Sequence, residues 1–183
     1  MFLEETLNHT VKKGSIEIIC GSMFSGKTEE LLRRLKRAQF AKLKIVVIKP
    51  EIDTRYDDTQ VVSHDLNKVE SKTVKSPNEI LNLANDSKVV AIDEAQFFND
   101  DLIVVCNKLA NKGKRVIIAG LDMDFLGIPF GIMPQLLAIA EYVTKVHAIC
   151  VECGEIANYS FRLTKNNDQI QLGQKDEYKP LYK

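Results

Sequence analysis

The sequence predicts an α/β fold, a mostly parallel sheet with helices on both faces. Three observations carry that expectation. Short β-branched runs recur along the chain, segments with a single apolar face lie between them, and both have the lengths of right-handed βαβ crossovers. The runs at 15–20 (SIEIIC), 44–49 (KIVVIK), 88–92 (KVVAI) and 115–120 (RVIIAG) are close to continuously apolar rather than alternating. That is the pattern of strands buried on both sides.

Taken in chain order, the first run leads into a helix whose Leu31, Leu32, Leu35 and Ala38 share one face. Arg33, Arg34, Lys36 and Arg37 crowd the opposite face and read as a solvated surface or a subunit contact. A second helical segment runs from about 77 to 84. A third runs from about 102 to 111 and closes at Lys112-Gly113, an ordinary helix stop. Near residue 150 the pattern changes, and the runs 158–163 and 169–172, joined by TKNND, look like an exposed hairpin. The expected division is a main α/β domain at 1–149 and a small lid-like piece at 150–183. The latter is too short to carry its own core without a staple or a neighbour.

Composition narrows the function classes. The chain has 183 residues, 45% apolar and 27% charged, the length and balance of one globular domain rather than a collagenous, mucin-like or disordered chain. Basic and acidic residues number 25 each. A net charge of zero argues against a nucleic-acid polymer held on a broad basic surface. No run approaches the roughly 20 apolar residues of a membrane span, and Glu4 and Glu5 stand where a signal peptide carries basic charge, so the expected location is the cytoplasm. Four cysteines do not make a secreted disulfide framework. His9, His64 and His147 are isolated in sequence and carry no argument.

The first strand runs directly into Gly21-Ser22-Met23-Phe24-Ser25-Gly26-Lys27-Thr28, which fits GxxxxGK[ST] at every fixed position. Glycines let consecutive backbone N–H groups curl around phosphates, and the following helix turns its positive end toward them. Lys27 then reaches the β and γ phosphates of ATP, and the Thr28 hydroxyl ligates Mg²⁺. Such a nucleotide site needs an acidic partner at a neighbouring strand end, and IDEAQ at 92–96 supplies it. Asp93 is the candidate Mg²⁺ ligand and Glu94 the candidate general base, with Ala95 and Gln96 completing the nucleotide-side segment. The fold class is therefore that of a RecA-like P-loop NTPase.

Two further groups fall at the carboxyl ends of strands, where α/β folds place ligands. Asp53 can help hold Mg²⁺ or the acceptor, and Arg55 can neutralise charge on a transferring phosphoryl group; a surface ion pair is the other reading. Phe125 and Phe130 can wall a flat organic acceptor or simply cover the core. Cys150 and Cys153 have zinc-knuckle spacing, but zinc takes four ligands and no cysteine or histidine follows Cys153. Zinc therefore stays a doubtful cofactor.

The ordered set GSMFSGKT at 21–28, KPEIDTRY at 49–56, IDEAQFF at 92–98, GLDMDFLGIPFG at 120–131, CVEC at 150–153 and NYSFRL at 158–163 resembles the cytosolic, tetrameric thymidine kinases of bacteria and animals. The likeness spans nearly the whole chain. It implies ATP- and Mg²⁺-dependent phosphorylation of the 5′-hydroxyl of thymidine and deoxyuridine in nucleotide salvage. A homotetramer and feedback inhibition by thymidine triphosphate follow from the same resemblance. Carried onto matching positions, Glu94 takes the hydroxyl proton; Lys27 and Thr28 hold phosphates and metal; Asp53, Arg55 and Asp93 complete the charged site. Base contacts fall to Met23, Leu121, Phe125, Phe130 and Tyr178, with Ser160 and Gln169, Ile170, Gln171, Leu172 and Gly173 forming a lid. Two departures stand out: after Tyr178 the chain reads KPLYK where many relatives carry a second metal-binding pair, and Met123-Asp124 replaces the smaller residues of some relatives. The rival class is a RecA-like ATPase or switch module, which would hydrolyse ATP with water and answer to a polymer or protein rather than to a nucleoside.

Overall fold

The computed structural model describes residues 13–51, 60–62, 68–163 and 178–182. Its centre is a six-stranded sheet built from β1 (Ser15–Cys20), β2 (Ile45–Pro50), β5 (Lys72–Val74), β6 (Val89–Ile92), β7 (Arg115–Gly120) and β8 (Tyr142–Lys145), in the order β5-β2-β6-β7-β1-β8. Every pairing in it is parallel. Between β2 and β5 lies a short antiparallel pair, β3 (Gln60–Val62) with β4 (Lys68–Glu70).

The four expected strands are the four central ones. Both edge strands escaped the sequence pattern for one reason. An edge strand is open on one side and is not selected for a continuous apolar run: Tyr142, Val143 and Lys145 of β8 are exposed.

Alternation along each strand sends its side chains to opposite layers. Ile16, Ile18 and Cys20 of β1 join Val90, Ile92, Val116 and Ile118 on one face, which is covered by α2 (Pro77–Leu83), α3 (Asp101–Asn111) and α4 (Met133–Ile139) through Ile80, Leu102, Val105, Leu109, Met133 and Leu136. On the other face Ile19, Val47, Ala91, Ile117 and Ala119 receive Leu31, Leu32, Leu35 and Ala38 of α1 (Lys27–Phe40). The apolar stripe read from spacing is thus the buried face of α1. At the opposite end of the sheet the Lys114 ammonium donates to the carbonyls of Ala84 (2.7 Å), Asn85 (3.0 Å) and Ser87 (2.6 Å), a cation closing the negative end of α2.

The arginine row on α1 is not uniformly solvated. Arg34 is drawn inward and donates to Glu17 (2.8 Å), Glu30 (2.8 Å) and the Thr144 hydroxyl (2.8 Å), linking α1 to β1 and to the β8 edge. Glu17 also receives both Arg115 Nε and Nη2. Burial works to raise the Glu17 pKa, but hydrogen bonds and charge from Arg115, then from Arg34, overcome it and hold the carboxyl below its ordinary value. Hydrogen bonds from Arg33 and Arg34 take Glu30 down to about 2.

The last elements are β9 (Ala148–Ile149) with β10 (Ile156–Ala157) and β11 (Tyr159–Arg162) with β12 (Tyr178–Leu181), both antiparallel. The described partner of β11 is therefore Tyr178–Leu181; the expected second arm, 169–172, lies outside the described residues. The buried apolar cluster of this piece is, among the described residues, Ala148, Cys150 and Ala157, extended by Leu181 and by Phe24 from the loop after β1. Among the described residues no helix is long and apolar enough to cross a membrane.

Both depressed carboxyls stabilise the fold above their ordinary range near pH 4.5, and that contribution is lost as pH falls through their folded values. Stability should therefore decline between about pH 5 and about pH 2. Glu17→Gln should cost about 3 kcal/mol at pH 7, the low end for breaking a buried pair because Arg115 is partly exposed, and should flatten the acid decline. Denaturant unfolding at pH 7 and pH 3 reads both effects.

Candidate active site

The site forms along the carboxyl edge of the sheet. Between β1 and α1 the chain makes the tight loop expected of Gly21–Thr28, and its first residue has to be glycine: φ is 148°, and a Cβ would stand 2.1 Å from the Val146 carbonyl. Gly26 opens α1 in the left-handed conformation with no side-chain cap. The N-terminal end of a helix is where backbone N–H groups and the helix dipole favour a phosphate. Lys27 Nζ and Ser25 Oγ each donate to the Ser22 carbonyl at 2.7 Å. The lysine is thus folded over its own loop, and a phosphate is the stronger acceptor to which it can turn.

Asp93 follows β6, is buried, and accepts the Glu94 N–H at 3.0 Å. Glu94 holds φ 53°, ψ 43°, a left-handed backbone unusual for a side chain of its kind, and this turns the chain abruptly into the short helix Ala95–Phe97. Thr28 in the first turn of α1 and Asp93 at the end of β6 both lie at this edge of the sheet, and both carry oxygen donors of the kind Mg²⁺ takes. Gln96 is buried; it donates to Glu94 Oε2 at 2.6 Å and accepts the Leu121 N–H at 3.0 Å.

On the acceptor side the loop after β7 carries Leu121, Phe125 and Phe130. Phe130 packs edge to face on Phe97, with ring centres 5.9 Å apart. Asp124 braces the loop by accepting the N–H groups of Leu126 (2.9 Å) and Ile128 (3.1 Å). Asp122 pairs with Lys145 at 2.7 Å across the end of β1. Met23 meets Ser160 directly, its N–H donating to the serine hydroxyl at 2.9 Å, and Ser22 donates to the Ala157 carbonyl at 3.3 Å. Phe125 and Tyr178 meet through a residue that sequence reasoning missed. The buried Arg162 guanidinium lies 3.7 Å from the Phe125 ring centre and 5.4 Å from that of Tyr178, and its Nε donates to the tyrosine hydroxyl at 2.9 Å. No local signal marked it: in the run 158–163 Arg162 alternates with Asn158 and Ser160 on the polar side, and it is that side, not the one bearing Phe161 and Leu163, that the fold buries. Asp53, Arg55, Gln169, Ile170, Gln171, Leu172 and Gly173 lie outside the described residues.

The CVEC segment makes a tight turn, with Cys150 N–H donating to the Glu155 carbonyl and Gly154 N–H to that of Cys150. Both thiols are free, Cys150 buried and Cys153 exposed. Backbone N–H groups of Tyr182, Cys153 and Glu152 lower the Cys150 thiol to about 7. Among the described residues no third histidine, cysteine, aspartate or glutamate gathers there, so two thiols alone do not make a tetrahedral zinc site.

Comparison with known proteins points one way. The family model described as Thymidine kinase matches residues 14–183. A protein of Bacteroides fragilis named Thymidine kinase is 58% identical over 181 residues, covering 99% of this chain and 91% of the relative. A thymidine kinase of Porphyromonas gingivalis is 57% identical over 176 residues, covering 95% and 86%. One of Bdellovibrio bacteriovorus is 51% identical over 167 residues, covering 91% and 82%.

The crowding at Gly21 gives a direct test. Gly21→Ala should displace the phosphate loop and weaken binding of a fluorescent ATP analogue about 5- to 150-fold, since the strained backbone and the lost N–H alignment together cost on the order of 1–3 kcal/mol. Unchanged affinity would separate the loop from nucleotide binding.

Proposed function

The chain belongs to the thymidine kinase family, and from that premise we propose that it transfers the γ-phosphoryl group of ATP to the 5′-hydroxyl of thymidine, and of deoxyuridine, in deoxynucleoside salvage. The observation that carries the reading is the pairing of a phosphate-binding loop with an Asp93-Glu94 edge whose glutamate is tied to the acceptor loop.

Backbone N–H groups of Gly21–Thr28 and the start of α1 hold the phosphates, and Lys27 neutralises the β and γ oxygens. Thr28 and Asp93, with Asp53, hold Mg²⁺, which supplies charge compensation to the phosphates. Glu94 accepts the proton of the 5′-hydroxyl; that oxygen forms the new bond to the γ phosphorus as the bond to the β–γ bridging oxygen breaks and ADP leaves. Arg55 offsets charge on the transferring group. Met23, Leu121, Phe125, Phe130 and Tyr178 enclose the base, and Ser160 with 169–173 closes over it as a lid that keeps water from the γ phosphorus. The docking of Ser160 on Met23 supports this closure. The enzyme works as a cytoplasmic homotetramer without polymer or membrane partners, and thymidine triphosphate, carrying both base and phosphates, restrains it.

Phosphate transfer from labelled ATP, tested with each nucleoside in turn against a Lys27→Ala control, checks the reaction. Thymidine monophosphate is the expected product, and ATP hydrolysis without a nucleoside product would replace the kinase with the ATPase reading. Glu94→Gln should lower turnover about 10² to 10⁴-fold with little change in ATP or thymidine binding. Near wild-type turnover would remove Glu94 from the role.

A further inference from the structure

We propose that Gln96 is a positioning residue that couples the acceptor loop to the orientation of Glu94, rather than a nucleotide ligand. The inference rests on the reading of Glu94 as general base.

Its carboxamide has only one consistent orientation. The Leu121 backbone N–H is a donor with no choice of role, so the atom facing it at 3.0 Å is the amide oxygen. The amide nitrogen then faces Glu94 and donates to Oε2 at 2.6 Å. One rigid planar group therefore spans from the start of the acceptor loop to the carboxylate.

The surroundings are shaped to that group. A Cβ on Gly120 would come within 2.9 Å of the Gln96 amide oxygen and 2.7 Å of Met133 Sδ. At the far end of the loop, Gly131 has φ 50°, and a Cβ there would stand 2.7 Å from the Gln96 carbonyl oxygen. Both ends of the loop carrying Leu121, Phe125 and Phe130 thus close on the same buried residue. Beside it the Phe97 and Phe130 rings lock edge to face.

The left-handed backbone at Glu94 places its side chain on the turn between β6 and the short helix, where Gln96 reaches it. With the amide donating to Oε2, the carboxylate is linked through one planar group to the start of the acceptor loop. A base that fills the pocket presses on the loop, and Gln96 carries that displacement to the proton acceptor. Binding of the correct nucleoside would in this way align the base that activates it.

Two substitutions separate this role from a structural one. Gln96→Met keeps the shape and removes both hydrogen bonds; Gln96→Glu keeps an acceptor for the Leu121 N–H but sets a carboxylate against Glu94. Both should lower kcat about 10- to 100-fold, the scale expected when a reacting group is misplaced, while the Kd for an ATP analogue stays within about twofold. In the Glu94→Gln background Gln96→Met should lower kcat by less than about threefold, because the residue through which it acts has already lost its function. Equal fold-losses in the two backgrounds, wild-type turnover in Gln96→Glu, or a loss of ATP affinity that accounts for the lost turnover would each overturn the proposal. If Glu94→Gln alone keeps near wild-type turnover, the general-base reading itself has failed. That result is distinct from a cycle in which Glu94→Gln is slow but the two effects multiply.

Discussion

The Val146 carbonyl, lying where a side chain at Gly21 would be, is the contact on which the rest of the molecule is arranged. A phosphate-binding loop needs its N–H groups directed at one point in space, and that leaves its outer side to be held by backbone from elsewhere. The segment following β8 supplies that backing: Val146 N–H also donates to the Cys20 carbonyl at 2.8 Å, so the edge strand and the loop are fixed together. From there the chain continues into β9, β10 and β11, which return to the loop through Ala157, Ser160 and the packing around Phe24. The small C-terminal piece is therefore built on the phosphate loop rather than beside it. A change in either is felt by the other.

Strand order explains how chemistry is distributed along the edge. With β7 inserted between β1 and β6, the phosphate loop and the Asp93-Glu94 turn are not adjacent, and the acceptor loop leaves the sheet from the strand between them. The loop after β7 thus has the phosphate loop on one side and the Asp93-Glu94 turn on the other. The hydrogen bonds of Asp124 and Gln96 tie the loop after β7 together and join it to the turn at Glu94.

Legibility in the sequence followed the range of the interactions. The phosphate loop is one contiguous strand, turn and helix start, so its eight residues carry their own signal. The apolar stripe of α1 and the four central strands were equally plain, because burial on both sides imposes a pattern on consecutive residues. The β5 and β8 edges left no such trace, and α4 also went unread although it is as long as α2. Arg34 looked like one of a row of solvated arginines until the fold set Glu17 and Thr144 beside it. Arg162 shows the same limit: nothing local says that its guanidinium lies over Phe125, 37 positions earlier by number.

By itself the sequence determined the fold class, the glycine-rich loop after β1, the acidic strand end and the aromatic loop after β7, since each is a property of neighbouring residues. Only the tertiary structure decided which groups orient them: Gln96 between Glu94 and Leu121, Arg162 between Phe125 and Tyr178, and Val146 against Gly21. Those contacts join residues from 2 to 125 positions apart, through distances that no periodicity encodes and that exist only once the sheet has stacked its strands in their final order.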